Sequence, residues 1–229
     1  MYYFYNIFLM SSLTYAFHYF FKNIGIEKKL FEKYSVNMMR SLICGSLSYE
    51  AYTKYNLLWN DKCLHNNTTL VIFKNYHDAF LSYFIFDTVF LFYQVYLKIE
   101  KKIRLDLLFH HILAITALLI IENKGLYGLS LMIGLSEGMS LVSGPKLITM
   151  EYGSKIITNC FIIYRLLYLI FVRMFFLWPN VLYYYHIITS ECDDFKKERN
   201  IYLVFFMIMI IMHAEIKWIH SGREELARI

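Results

Sequence analysis

The sequence predicts an all-α integral membrane protein, a multi-pass helical bundle of about seven transmembrane helices. Three observations carry that prediction. Of 229 residues, 58% are hydrophobic and 19% aromatic, and the mean hydropathy is +0.41, which sets the chain apart from ordinary soluble domains. Only two prolines interrupt it. Apolar runs of the roughly 20 residues needed to cross a bilayer core about 30 Å thick recur from end to end, leaving no stretch for a separate soluble domain.

The expected spans, taken in order, are residues 1–21, 35–52, 79–97, 105–121, 126–143, 157–177 and 200–219. The first, "MYYFYNIFLMSSLTYAFHYFF", lacks the basic leading segment of a secretory signal and is long enough to span, so it reads as a retained helix. The second is apolar despite Arg40 and Glu50. The third to fifth are bounded by charge and turn clusters. The sixth is followed at Trp178 to Asn180 by another apolar stretch, Val181 to Ser190, which is too short to cross alone and is expected to be re-entrant or interfacial. Six to eight crossings fit the pattern, and seven is the expected number. The chain then divides into a first helix and loop (1–34), a membrane domain (35–222) and a short cytosolic tail (223–229).

Seven crossings sort the loop charges by side. One side carries Lys22, Lys28, Lys29, Lys33, Lys98, Lys101, Lys102, Arg104, Lys146, Lys155, Arg223 and Arg228; the other carries Lys54, Lys62, Lys74, Lys124, Lys196, Lys197 and Arg199. The larger set is expected in the cytosol. This topology places the overlapping sequons at Asn66 and Asn67 on the translocated side, where glycosylation occurs. Cys63 and Cys192 share that oxidising side, so a disulfide is open to them, although two unpaired loop cysteines are the expectation from sequence. The four cysteines contain no CxxC pair and so give no support to a zinc or redox site. The formal charge of +5 is spread over short loop clusters. That suits anionic headgroups rather than a nucleic acid, and no nucleic-acid partner is expected.

Ionisable residues inside spans cost a few kcal/mol each and are therefore candidate functional groups. Here they are Arg40, Asp87, His110, His111, Glu137, Arg165, Arg173, His213 and Glu215. At about 1.5 Å per residue, His110, His111, Glu137 and His213 lie roughly 9 Å from the cytosolic end of their helices, with Asp87 about 15 Å deep. Only Arg173 falls clearly in the opposite half. Asp106, His110, Ala114 and Ala117 share one helical face, Tyr83, Asp87 and Gln94 another, and Ser130, Gly134, Glu137, Ser140 and Gly144 form a small, polar stripe. These faces are expected to line a polar chamber opening toward the cytosol. Arg165 and Arg173 read as structural partners for Glu137 or Asp87, whereas solvation near the interface accounts for His213 and Glu215. Asp106 sits at a helix N-terminus, which explains it without chemistry.

Asp87 and the pair His110–His111 resist such accounts. A histidine in a partly dry site takes a proton near neutral pH or acts as a nucleophile, with a carboxylate fixing its tautomer. Adjacent positions diverge by about 100° on a helix, so one ring can face substrate while the other holds a neighbouring helix. The same divergence, and the lack of HxxxH spacing, argue against a metal at this pair. No metal is expected.

The ordered set of motifs resembles the TLC-domain family, the membrane domain of ceramide synthases, TRAM-type proteins and small TLC-domain-containing proteins. "SYFIFD" (Ser82 to Asp87) is similar to the family's Gly-Tyr-x-x-x-Asp-like helix, with Ser82 in place of Gly. "RLDLLFHHILAI" (Arg104 to Ile115) carries the His-His element. "FIIYR" (Phe161 to Arg165) looks like the aromatic segment ending in Arg, and "EIKWIHSG" (Glu215 to Gly222) like the closing Asn-x-x-Trp-type helix, with Glu215 replacing Asn. Ceramide synthases also carry His-Asp-x-x-Asp after the His-His helix; Ser136, Glu137 and Ser140 hold those places here. The resemblance implies an endoplasmic-reticulum membrane domain with a lipid-accessible cavity. The departures bring the chain closer to the non-synthase members, whose common property is membrane lipid handling.

The leading expectation is a protein that binds, senses or modifies a membrane lipid in a chamber lined by Asp87, His110, His111 and Glu137. The alternative is an acyl-CoA-dependent N-acyltransferase, with acyl-CoA as co-substrate and no resident cofactor. A proton-linked transporter is the third reading, and the sequence contains no internal repeat to favour it.

Overall fold

The structure, a computed structural model, describes residues 2–25, 28–96, 103–193 and 201–228. Among these the chain is helical, without strands, and forms seven rods. The first four are α1 (Tyr2–Asn23), α2 (Lys28–Asn60), α3 (Asn67–Tyr96) and α4 (Leu105–Lys124). The fifth joins α5 (Tyr127–Leu135) to α6 (Ser143–Tyr152) through a 3-10 stretch, Ser136–Val142. The sixth joins α7 (Lys155–Leu167) to α8 (Trp178–Glu191) through a π-helical stretch, Tyr168–Leu177, and α9 (Ile201–Arg228) is the last. The loop cations Lys98, Lys101, Lys102, Lys196, Lys197 and Arg199 lie outside the described residues.

Three rods are long and apolar enough to cross a membrane: α3, α4 and the α7–α8 rod. In α4 only 17% of the apolar window, and in α7–α8 only 22%, is buried inside the bundle. Phe109, Ile112, Leu119, Phe171 and Phe175 are among the residues that face outward. A continuous apolar surface of that kind suits hydrocarbon rather than water.

The stretch Val181 to Ser190 is not a re-entrant segment. It continues the sixth rod, which runs unbroken from Lys155 to Glu191. Pro179 lacks an N–H and would interrupt an α-helix. The preceding turns widen to π geometry, with the Trp178 amide donating to the Arg173 carbonyl, and the rod passes through the proline without breaking. Helices α2 and α3 also run well beyond the expected spans, and α3 starts at Asn67 rather than residue 79.

The core forms where α2, α3 and α5 meet, around Met39, Leu47, Phe73, Phe80, Leu131 and Met132. Helix α5 is enclosed on nearly every side, and its glycines make that approach possible. A Cβ at Gly134 would run into the Tyr76 hydroxyl, which donates to the Leu47 carbonyl at 3.1 Å. The α4–α5 connection turns on Gly125, whose φ of +69° is the left-handed conformation that glycine adopts without penalty.

At one end of the bundle, Cys63 and Cys192 form a disulfide with Cα atoms 5.5 Å apart. This corrects the expectation of two unpaired cysteines. Residues 129 positions apart in sequence are brought together there by the packing of α8 against the α2–α3 turn. Lys62 pairs with Glu191 beside it, and the Tyr184 hydroxyl donates to the Lys62 carbonyl at 3.1 Å. Asn66 and Asn67 are exposed at the same end.

Candidate functional site

Midway along α3, Tyr83, Asp87 and Gln94 point inward and are all buried. Asp87 is 1% exposed and meets three groups. Arg40 Nε of α2 stands 2.5 Å from its Oδ1. The Tyr83 hydroxyl donates to Oδ2 at 3.3 Å, and His111 Nε2 lies 3.4 Å from the same oxygen. On the far side of the imidazole, His111 Nδ1 is 3.3 Å from the Thr88 hydroxyl. His111 is thereby held between two residues of α3, a geometry that orients the ring.

His110 turns toward α5 and α9. Its Nε2 lies 3.8 Å from Glu137 Oε1, and its ring packs against Trp218 with centroids 5.4 Å apart. The Phe84 ring contacts both histidines. Glu137 opens the 3-10 stretch, where the tightened backbone places Ser136 and Ser140 hydroxyls 3.4 and 3.5 Å from its carboxylate oxygens. The Cys44 thiol approaches at 3.9 Å.

The most buried residues of α4 lie beside the expected face, of which Asp106 and His110 still line the cavity. Those most buried residues are His111, Leu118 and Ile121, whereas Asp106 is exposed and pairs with Arg104 at 2.7 Å. The contact of His111 with Asp87 selects that face and leaves His110 beside the stripe, with 13% of its side chain exposed.

These groups line one cavity of about 520 Å³. Asp87, His110, His111 and Glu137 lie along it, together with Arg40, Tyr83 and Ser140. Lys33, Arg104, Lys146, Arg165 and Glu225 line its outer part. Lys146 donates to both carboxylate oxygens of Glu225, at 2.7 and 2.9 Å. Burial and the nearby Arg165 guanidinium push the Lys146 ammonium below its usual range, with Glu225 acting against them. Arg165 Nε is enclosed without a hydrogen-bond partner. A second cavity, of about 440 Å³ and lined by Tyr49, Tyr52, Tyr55, Tyr164, Tyr168 and Phe176, borders Leu135 and Gly138 on either side of the Ser136–Glu137 step.

Two residues read from sequence as interfacial or structural behave differently. Glu215 is fully buried rather than solvated. It pairs with Arg173 at 2.7 Å and accepts from Trp178 Nε1 at 3.0 Å. Arg173 therefore partners neither Asp87 nor Glu137. It is 1% exposed, between the rings of Trp178 and Trp218. Counting depth from apolar span ends put Arg173 and Glu215 in opposite halves, but both helices continue past those ends and the pair meets at one level. His213 is exposed, and Asp87 takes its cation from Arg40, a partner that span-by-span reading did not identify.

The arrangement couples two imidazoles to two buried carboxylates through a polar space. It can orient a hydroxyl or amine and accept its proton at His110, while His111 and Asp87 brace the wall. Compared with family models, curated proteins and solved structures, the chain matches none.

Proposed function

We propose that this chain is a seven-span, TLC-like membrane protein that binds or modifies a membrane lipid in the cavity around His110, His111, Asp87 and Glu137. The observation that carries the reading is the cavity itself, which joins four ionisable groups inside a bundle whose outer surface is apolar. A lipid has the matching chemistry, with a polar headgroup for the chamber and chains for the surface. The tyrosine-lined cavity beside the Glu137 segment offers an apolar path for a chain.

The orientation follows from the two ends. The cavity opens beside Lys33, Arg104, Lys146 and Arg165, and the disulfide and sequons stand at the other end. Cationic residues favour the cytosol and disulfides the oxidising side, which supports a cytosol-facing chamber; the membrane proposed is the endoplasmic reticulum or one derived from it.

The basic mouth also favours a second reading, N-acylation with an acyl-CoA entering from the cytosol. In that reaction His110 takes the proton of the attacking amine and the thiolate of CoA departs. Purified protein in lipid separates the two. CoA release from a long-chain acyl-CoA and an amine, lost in His110→Ala, supports the transferase. Retention of a defined lipid without turnover supports binding alone, and absence of both overturns the proposal.

A further inference from the structure

A second ionisable cluster lies away from the cavity, ten positions toward the disulfide end of α3 from Asp87. His77 and Asp78 of α3 and Glu122 of α4 each offer a donor atom, and those atoms all lie within 4.8 Å of one another. His77 is fully buried and Asp78 nearly so, while Glu122 is half-buried. The 10 residues from His77 to Asp87 and the 11 from His111 to Glu122 correspond to about 15 Å and about 16 Å of helix. Two polar layers thus sit at separate levels between the same two helices.

The orientation of His77 distinguishes this cluster from an ordinary core histidine. Nδ1 lies 2.7 Å from the Ser130 hydroxyl of α5, while Nε2 is enclosed with no hydrogen-bond partner. With Nδ1 tied to an outer hydroxyl, Nε2 is the ring nitrogen left for a ligand, as in imidazoles that bind a metal. Burying an unsatisfied imidazole nitrogen is costly, and coordination removes that cost. Adjacent helix positions diverge by about 100°, yet His77 and Asp78 still bring donors within the same 4.8 Å.

We propose that His77 Nε2, Asp78 and Glu122 form a divalent-metal site, with Ser130 positioning the imidazole. One nitrogen and two carboxylate oxygens suit a borderline ion such as Zn²⁺, with a water completing the shell. Two carboxylates neutralise the dication. Binding draws the donors together to the roughly 3.3 Å separation of a tetrahedral site with bonds of about 2.0–2.1 Å. The ion then cross-links α3 to α4. The site is independent of the lipid chamber, and neither proposal depends on the other.

The test uses the full chain in lipid, disulfide intact, stripped with chelator and dialysed against Zn²⁺, with metal counted by mass spectrometry and Co²⁺ absorption as a second readout. One tightly held equivalent is expected in the unaltered protein. Glu122→Gln, on a half-buried side chain, should weaken binding by more than about 100-fold, and Ser130→Ala by about 10-fold, as loss of an outer partner does. Zn²⁺ should also raise the melting temperature of the unaltered protein and leave that of Glu122→Gln unchanged. Equal Zn²⁺ affinity in Glu122→Gln and the unaltered chain, or no stoichiometric Zn²⁺ in the latter, overturns the proposal. If His77→Gln fails to fold, the Glu122→Gln comparison decides alone.

Discussion

Arg40 and Asp87 meet at 2.5 Å between α2 and α3, and both line the cavity. The pair supplies the negative charge on which His111 rests, so it links helix packing to the proposed chemistry. Asp87→Asn leaves a charge in the interior without its partner and should destabilise the protein by about 3–5 kcal/mol. Replacing both members with apolar residues of similar size should cost less than either single change. Thermal unfolding in detergent measures both; equal costs would show that the pair is solvated.

Arg173 and Glu215 provide a parallel case without access to the cavity mouth, at 1% and 0% exposure. Glu215→Gln keeps an acceptor for Trp178 Nε1 but removes the countercharge of Arg173, and a loss of about 3 kcal/mol or more is expected. Arg173→Met combined with Glu215→Gln should recover part of it. A double-mutant cycle with no coupling would contradict the pairing.

The disulfide closes a loop of well over 100 residues. Chain-entropy reasoning sets its contribution at about 4–5 kcal/mol, with removal of native disulfides typically costing about 2–5 kcal/mol. Cys63→Ser should therefore lower the melting temperature, and non-reducing mass mapping should recover Cys63 linked to Cys192. An unchanged melting temperature would indicate that the α2–α3 turn is held by Tyr184 and Glu191 without it.

Topology is testable through the same end of the bundle. Asn66 Oδ1 accepts from the Thr68 amide, while Thr69, which completes the Asn67 sequon, is buried. Glycosylation in a competent membrane is expected at this site, with Asn66 the more heavily modified, and Asn66→Gln with Asn67→Gln should abolish it. Modification of an engineered sequon in the Lys98 to Arg104 loop, with Asn66 and Asn67 unmodified, would invert the orientation.

What was legible in the sequence was local. Apolar runs anticipate a helical chain, in which three of the seven rods are long and apolar enough to cross a membrane, and helical periodicity places Tyr83, Asp87 and Gln94 on one buried face. What was hidden depends on partners distant in the chain. Nothing near Asp87 announces Arg40, and nothing near Glu215 announces Arg173. The most buried face of α4 lies about one position round from the expected one, because His111 rather than His110 meets Asp87. His77 and Asp78 escaped notice because apolar length started their span at residue 79, whereas α3 extends to Asn67. Spacing alone does not join them to Asp87, because ten positions leave His77 about 80° around the helix from it. Pro179 suggested a break, and a π-helical stretch absorbed it.

The central claim is that the cavity holds a membrane lipid, and mass spectrometry of lipids retained by the purified protein tests it most directly. The comparison is with Ser143→Phe, which places a ring in the cavity lining and leaves the histidines and carboxylates themselves unaltered. The account predicts about one molecule per chain of a lipid class enriched over the surrounding membrane, and a loss of about tenfold or more in the variant, the effect of about 1.4 kcal/mol in binding. Lipid matching bulk membrane composition, retained equally by both proteins, would contradict it.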